Sequence, residues 1–173
     1  MFNRREFMAA GALAGAAVAA SCTGCRRTDY VFLNAGDAAA LSTVCDQIIP
    51  ADDFPSASEA GVLTYIDRQL GHHYRRHQAA YREGLKQAAE LARSRFGVDL
   101  AHASAPQQLE VVRAIEEQNK AFFDLVRSHT MQGYYGSPRH GGNRAAASWH
   151  MLGLDEPPVR GRAQYDFTAG SKR

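Results

Sequence analysis

The 173-residue chain has few cysteines, one tryptophan and no strong excess of charge of either sign. Its three cysteines are an odd number, so one thiol has no disulfide partner within the chain. Its 20 basic residues nearly balance its 18 acidic ones, which argues against nucleic-acid binding because that function needs a strongly basic face. No apolar run after residue 20 reaches the roughly 20 residues that a transmembrane helix requires.

The sequence also lacks the common catalytic and nucleotide-binding motifs. It contains no HExxH, nucleophile elbow, P-loop or GxGxxG, and no Ser-His-Asp order. Asp52 and Asp53 are adjacent carboxylates, but between Pro50 and Pro55 they are typical of a turn. We therefore expect that the chain is not an enzyme on its own and holds no catalytic, cofactor-binding or metal-binding residue.

Two patterns resemble cofactor sites but are incomplete. His73 and His77 have the i,i+4 spacing with which two imidazoles reach one metal, and His72 adjoins them. No carboxylate is spaced to complete such a site, so a solvated polar helix face is the better interpretation. Cys22 to Cys25 is a CxxC, but Arg26 follows where haem c attachment requires a histidine.

The N-terminus has the layout of an export signal. Arg4 and Arg5 precede Phe7 and a weakly hydrophobic stretch of alanine and glycine from Met8 to Ala20. A charged region, a short apolar region and small residues near a cleavage site together indicate a twin-arginine signal peptide over residues 1–20. Such signals send folded proteins across the bacterial inner membrane by the twin-arginine translocase, so we expect a periplasmic protein.

The end of this signal allows two interpretations. Cleavage after Ala20 fits an ordinary signal peptidase, whereas Ala19 to Cys22 is a loose lipobox in which Cys22 would be lipidated. Lipidation of Cys22 would leave Cys25 and Cys45 free to form a disulfide in the oxidising periplasm. A lipidated Cys22 would also anchor the protein to the membrane.

Apolar residues recur at helical spacing through most of residues 33–153. Asn34 is a predicted N-cap, a second helix is predicted to start near Ser58, Gly97 is a predicted left-handed C-cap, and Ser104 begins a predicted capping box. The pattern predicts one compact all-α bundle of about five or six helices. We expect a linker over residues 21–32 before this domain and an extended tail over residues 154–173 after it.

The stretch from Gly133 to Asn143 is predicted to be a glycine-rich loop. Paired glycines let a backbone approach another chain or its own core closely, and Asn143 is a predicted cap for a short helix that bears Trp149. One interpretation is a surface that contacts a partner; the other is a structural turn with Trp149 as a core plug, and both can hold together. The candidate interface residues are Tyr134, Tyr135, Gly141, Gly142, Asn143 and Trp149.

The ordered set of motifs resembles the gluconate 2-dehydrogenase subunit 3 family, the small subunit of membrane-bound, three-component, FAD-dependent sugar and sugar-acid dehydrogenases. The resemblance covers about residues 33–153 and includes the twin-arginine start. Its motifs are Asp46–Asp52, Ala60–Val62, Tyr65–Asp67, Tyr81–Leu85, Phe122–Phe123, Val126–Arg127, Gly133–Tyr135, Pro138, Gly141–Asn143 and Trp149.

This resemblance implies a noncatalytic subunit without a cofactor of its own. The large subunit would hold FAD, and a multihaem cytochrome c subunit would carry haem c and pass electrons towards quinone. The small subunit would escort the flavin subunit through twin-arginine export and stabilise it at the inner membrane. The alternative is a stand-alone periplasmic lipoprotein that binds a small ligand in a pocket lined by Tyr134 and Tyr135.

Overall fold

The computed structural model describes residues 30–154, which form an all-α bundle. This range contains six α-helices and no strand, which confirms the predicted fold class. The helices are α1 (Ala35–Ile48), α2 (Val62–Gly71), α3 (Gln78–Phe96), α4 (Ala105–Gln118), α5 (Lys120–Tyr135) and α6 (Ala147–Met151). Short 3₁₀ turns lie at Arg75–His77, Leu100–His102, Pro138–His140 and Arg144–Ala146.

Several predicted features lie outside the described residues. They are the signal residues Arg4, Arg5 and Phe7, the candidate lipidation site Cys22, the candidate disulfide partner Cys25 and the tail after Leu154. Among the helices that the structure describes, none combines the length and the apolarity that crossing a bilayer requires.

Local capping chemistry fixes the ends of three helices where the sequence predicts them. The side chain of Asn34 accepts a hydrogen bond from the Asp37 amide at 2.8 Å and so caps α1. Ser104 forms the predicted capping box with Gln107 at the start of α4. Gly97 takes a left-handed φ of 72° and ends α3. These caps satisfy backbone groups that a helix end would otherwise leave without partners.

The predicted start of the second helix is wrong by about one turn. The chain forms a turn after Ser56, in which the Ala60 amide donates to the Ser56 carbonyl at 2.9 Å, and α2 begins only at Val62. The residue before it, Gly61, has a left-handed φ of 81°. Apolar periodicity does not reveal such a boundary, because the turn contains buried apolar residues of its own, Ala57 and Ala60.

The core lies where α1, α2, α3, α4 and α5 meet. It is built mainly from aliphatic side chains that are almost fully buried, and each of these contributes roughly 1.5–3 kcal/mol of transfer free energy. They include Leu41 and Val44 of α1, Ile66 and Leu70 of α2, Leu85 of α3, Ile115 of α4 and Val126 of α5. This rigid body holds α6 and the loop before it at one place on the surface.

Candidate partner interface

The C-terminal part of the described chain forms a closely packed loop against α2 and α5. Its helical bounds differ from the predicted ones, because Gly133, Tyr134 and Tyr135 form the last turn of α5 and only the residues from Gly136 onward leave the helix. The prediction of a loop starting at Gly133 is therefore wrong. Gly133 is thus a helical residue. It packs against the ring of Tyr65, and a Cβ at this position would lie 2.9 Å from Cδ1 of that ring.

Tyr134 serves the interior rather than the surface. It is 2 % exposed, and its hydroxyl donates to the Pro55 carbonyl oxygen at 2.8 Å. Burial raises the pKa of this hydroxyl above its ordinary value. The hydrogen bond ties the end of α5 to the loop before α2, so Tyr134 stabilises the domain and is closed to a partner.

Gly142 of the loop and Gly61 before α2 allow close backbone contacts. A Cβ on Gly142 would collide with the carbonyl oxygen of Gly133, and a Cβ on Gly61 would lie 2.9 Å from the carbonyl oxygen of Gly141. The amide of Arg144 also donates to the Ala60 carbonyl at 2.8 Å. The loop is thus fixed to the N-terminal end of α2 and to the C-terminal turn of α5.

Asn143 is fully buried and organises the turn into α6. Its side-chain nitrogen Nδ2 donates to the Gly136 carbonyl, and its side-chain oxygen Oδ1 accepts from the backbone N–H of Ser148, each at 2.9 Å. Asn143 thus makes the predicted capping hydrogen bond to α6, although α6 starts at Ala147 and the N-cap position itself is held by Ala146. The 3₁₀ turn Arg144–Ala146 intervenes, so Asn143 reaches across it.

This turn stores backbone strain. Asn143, Ala145 and Ala146 all have left-handed φ values, between 45° and 54°. An alanine in this conformation costs roughly 1–2 kcal/mol. In addition, the Ser148 hydroxyl is buried without a hydrogen-bond partner within residues 30–154. The surrounding contacts, above all those of Asn143, hold the strained turn in place.

Four apolar side chains that are at least partly exposed flank this loop, and we call them the aromatic face: Met131 and Tyr135 on α5, Trp149 on α6 and Leu152 at the C-cap of α6. Met131 and Tyr135 are neighbours one turn apart on α5, and they are 41 % and 38 % exposed. The indole N–H of Trp149 donates to the Tyr135 carbonyl at 3.0 Å, and Leu152 lies one turn beyond Trp149. Trp149 is only half-buried and lies outside the hydrophobic core, so it is not a core plug.

Positive charge lies on this loop and on the part of α2 that contacts it. Arg139 and Arg144 belong to the loop, and the side chain of Arg68 on α2 reaches Gly141. Within the described residues, none of these three arginines forms an ion pair with a carboxylate; the ion pairs found there involve α3, α4 and the start of α5. The sequence from Leu125 to Leu154 contains no acidic residue.

A second polar cluster was not found from the sequence. The hydroxyl of Tyr81 and Nδ1 of His129 are 2.9 Å apart in the interior, and the ring of Tyr74 stacks on His129 with centroids 4.3 Å apart. Tyr74 donates to Oε1 of Gln132 at 2.6 Å, and Tyr65 donates to the same oxygen at 3.3 Å. These residues come from α2, α3, α5 and the turn before α3, so no local pattern in the sequence groups them.

Burial of this cluster changes its protonation. Desolvation, with smaller contributions from His77 and Arg76, lowers the pKa of His129 from 6.5 to about 4. Burial likewise raises the pKa of Tyr81 well above its ordinary range. His129 is therefore neutral at physiological pH and joins α3 to α5 as a hydrogen-bonding and stacking group.

The remaining candidate ligands are dispersed. His72 and His73 are exposed, and His77 lies at the edge of the tyrosine cluster with its ring 5.5 Å from that of His129. Across residues 30–154 no group of three or more His, Cys, Asp or Glu side chains could hold a metal ion. Asp52 accepts a hydrogen bond from the Phe54 amide at 2.8 Å, which is the turn-forming role that its prolines predicted.

Cys45 lies in the core. Its sulfur is fully buried and 3.3 Å from the Thr130 hydroxyl, and burial raises the thiol pKa to about 12. Since Cys25 is outside the described residues, a disulfide between the two remains a prediction.

A groove of about 660 Å³ lies between the start of α1, the middle of α3 and the 3₁₀ turn at Leu100–His102. Leu85 and Leu100 form part of its apolar lining, and Asp37, Lys86 and Arg93 supply charge. Tyr134 and Tyr135 do not line it, so it is not the pocket that the stand-alone lipoprotein alternative requires.

Residues 30–154 form a small all-α domain with partly exposed aromatic side chains on α5 and α6. A family model described as gluconate 2-dehydrogenase subunit 3 matches residues 35–155, which is most of the chain, and the chain belongs to this family of dehydrogenase subunits. No curated protein matches the chain significantly. No solved structure does so either.

Proposed function

We propose that this chain is the noncatalytic small subunit of a periplasmic, FAD-dependent sugar or sugar-acid dehydrogenase of the gluconate type. It escorts the flavin subunit through twin-arginine export and stabilises it afterwards. In this proposal FAD belongs to the large subunit, and haem c belongs to a multihaem cytochrome subunit at the inner membrane. Membership of the subunit 3 family supports this assignment.

The aromatic face is the observation that carries the proposal. Exposed apolar groups that are grouped together and bordered by polar groups are typical of protein–protein contacts, and Trp, Tyr and Arg dominate the binding energy of such contacts. Here the Trp149 indole N–H binds the Tyr135 carbonyl, and the loop between these two residues, which contains Arg139 and Arg144, is fixed by internal backbone contacts. A surface that is already ordered loses little conformational entropy when it binds.

This arrangement divides the predicted interface into two groups. Tyr134, Gly142 and Asn143 are buried and shape the loop, whereas Tyr135, Trp149 and Gly141 remain at least partly accessible. We infer that the accessible group contacts the flavin subunit and that the buried group acts indirectly by fixing its position.

A pull-down tests the complex. The tagged chain is isolated under mild conditions from its native periplasm and membranes, and its absorbance spectrum and co-purifying proteins are recorded. We expect a flavin spectrum with a large dehydrogenase subunit, and a haem c signal if the cytochrome subunit remains bound. Purification of a colourless chain without a large partner would contradict the proposal and would favour the lipoprotein alternative.

A double substitution tests the escort role. Arg4→Lys with Arg5→Lys should retain both this chain and the flavin subunit in the cytoplasm, because the flavin subunit travels on the signal of its partner. Fractionation followed by immunoblotting measures both proteins. Normal export of the flavin subunit in this double variant would remove the escort role while leaving the complex intact.

A further inference from the structure

The connection between α2 and α3 carries positive charge that the rest of the described domain does not neutralise. The sequence from Arg68 to Arg82 contains four arginines and three histidines but no acidic residue. All four arginines are exposed. Within residues 30–154, none of them forms an ion pair with a carboxylate. This part of the surface therefore attracts anions from outside the domain.

Contacts join two of these arginines to the segment just before α1. Nε of Arg75 donates to the Gly71 carbonyl oxygen at 2.8 Å. Gly71, the last residue of α2, packs against Val31, because a Cβ on this glycine would lie 2.5 Å from Cγ1 of Val31. The Arg82 guanidinium lies 5.0 Å from the centre of the Phe32 ring. Arg75 and Arg82 are thus placed close to the same two neighbouring apolar residues.

The one carboxylate that binds this segment is not accessible to the arginines. Asp67 is 2 % exposed, and its oxygens accept the amide of Val31 at 2.7 Å and those of Phe32 and Leu33 at 2.9 Å each. These hydrogen bonds hold the segment against the end of α2. The side chain of Val31 nevertheless remains 60 % exposed, the highest value among the large apolar residues of the described chain.

We propose that this surface docks the domain on a bilayer that contains anionic phospholipids. We define it as Val31, Arg75, Arg76 and Arg82 and call it the basic corner. A guanidinium binds a phosphate through two parallel N–H bonds, so the arginines match the lipid headgroups. Val31 matches the apolar layer beneath them, since interfacial binding combines buried apolar area with attraction to anionic lipids.

The exposed valine beside unpaired arginines favours a bilayer over an acidic protein. Carboxylates of a protein would bind the arginines equally well, but they would leave Val31 in contact with water. A bilayer offers phosphates and acyl chains within roughly 5–10 Å of depth. The contact itself needs no flavin subunit, and only the choice of the inner membrane rests on the proposed function.

Vesicle co-sedimentation of the periplasmic chain tests the docking. All variants carry Cys22→Ser, so that no acyl chain contributes to binding. We expect the chain to bind mixed vesicles of phosphatidylglycerol and phosphatidylcholine and not vesicles of phosphatidylcholine alone. Binding should be lost at about 1 M salt, where charges are screened beyond roughly 3 Å. Equal binding to both kinds of vesicle, or binding to neither, would overturn the proposal.

A double substitution locates the contact. Arg75→Gln with Arg76→Gln should lower the affinity for mixed vesicles roughly 25-fold, about fivefold for each arginine removed. Arg93→Gln with Arg95→Gln is the matched control, because it removes the same charge roughly 22 Å or more along α3 from Gln78. The control should bind nearly as well as wild type. An equal fall in both double variants would show that net charge alone attracts the chain, contrary to the proposal.

Val31→Ser is an independent test that keeps every charge and the bond between Arg75 and Gly71. Its affinity for mixed vesicles should fall several-fold with an unchanged salt dependence, because only the apolar contact is lost. Leu152→Ser is the control, since Leu152 is a similarly exposed apolar residue at the C-cap of α6, and it should bind like wild type. Full affinity of Val31→Ser would overturn docking on a bilayer.

A soluble polyanion separates a bilayer from an acidic protein. Poly-glutamate presents carboxylates without an apolar layer, so the chain should bind it more weakly than mixed vesicles. Binding to poly-glutamate in place of the vesicles would assign the basic corner to an acidic protein and overturn the proposal. Failure of the proposed function gives a different result, because a chain that captures no flavin subunit in the pull-down would still bind mixed vesicles.

Discussion

The two ends of α2 both rely on glycine, but they use it for different purposes. At the N-terminal end, Gly61 has a left-handed φ and lets the C-terminal loop approach, and the loop itself contains strained residues. At the C-terminal end, Gly71 is helical and only makes room for Val31, while Asp67 supplies the binding energy. The first end is held by shape and backbone geometry, and the second is held by a buried charge.

This difference indicates how each end responds to change. Tightly packed backbone cannot relax around an added atom, so the loop end should be sensitive to small changes in volume. The C-terminal end depends on three hydrogen bonds from the amides of Val31, Phe32 and Leu33 to a single carboxylate, so these residues should open locally without unfolding the domain.

The largest effect is expected at the loop end. Gly61→Ala combines left-handed strain with a Cβ that would lie 2.9 Å from the Gly141 carbonyl oxygen, so we expect a loss of about 3–4 kcal/mol in the free energy of unfolding. Urea denaturation measures it. Gly97→Ala is the matched control, because Gly97 has a φ of 72° with no atom near its Cβ position. It should cost only about 1–2 kcal/mol; equal losses would show that space is not what matters at Gly61.

A smaller effect is expected from acid, acting through the buried histidine of α5. Because the pKa of His129 is lowered to about 4 from 6.5, the unfolded chain binds more protons than the folded one between these values. The stability that neutral His129 contributes is present above pH 6.5 and is lost as the pH falls towards 4, by at most roughly 3 kcal/mol.

Thermal unfolding from pH 7 to pH 4 measures this loss. His129→Gln should flatten the pH dependence in that window, and His73→Gln, which changes an exposed histidine, should not. A pH profile that is the same in wild type and His129→Gln would contradict the buried role of His129. Hydrogen exchange at pH 5 would further show whether the residues just before α1 and the loop before α6 loosen together.

A still smaller stability effect, with a larger effect on binding, is expected at the aromatic face. Trp149→Ala removes a half-buried ring and the hydrogen bond to the Tyr135 carbonyl, so it should cost about 1–2 kcal/mol of stability. Its affinity for the flavin subunit should fall at least about tenfold, as expected for an aromatic residue that anchors an interface. Calorimetry or surface plasmon resonance measures the affinity.

Two controls sharpen this test. Trp149→Phe keeps a ring and loses the N–H donor, so it should bind more strongly than Trp149→Ala. Leu109→Ala changes an apolar residue on α4 that is 38 % exposed, as Tyr135 is, and should leave binding unchanged. Full affinity of a folded Trp149→Ala would exclude the aromatic face from the interface.

The smallest change is expected at Cys45, away from both ends. Its thiol is buried and its pKa is raised to about 12, so it carries almost no thiolate at neutral pH. In reduced, folded protein a thiol reagent should label Cys45 only after denaturant is added. Rapid labelling without denaturant would show that the core around Thr130 opens readily.

Intact mass of periplasmic protein before reduction separately tests the predicted disulfide between Cys45 and Cys25 and the lipidation of Cys22.

The sequence by itself determined the all-α fold class and several of the helix ends. The caps at Asn34, Gly97 and Ser104 could be predicted because each depends on residues within a few positions of one another. The family could also be identified, since it rests on motifs in a fixed order along the chain. The start of α2 could not be predicted, because a buried turn has the same apolar composition as a helix.

Only the tertiary structure decided which candidate residues face solvent and which serve the interior. Tyr134 and Tyr135 are adjacent and chemically alike, yet one is 2 % and the other 38 % exposed, because the last turn of α5 directs them to different sides. Asp67 gained its three donors, and His129 its tyrosine partners, only when segments more than 30 residues apart came together. Such long-range contacts leave no local pattern in the sequence, because burial and hydrogen bonding are set by the packing of whole helices.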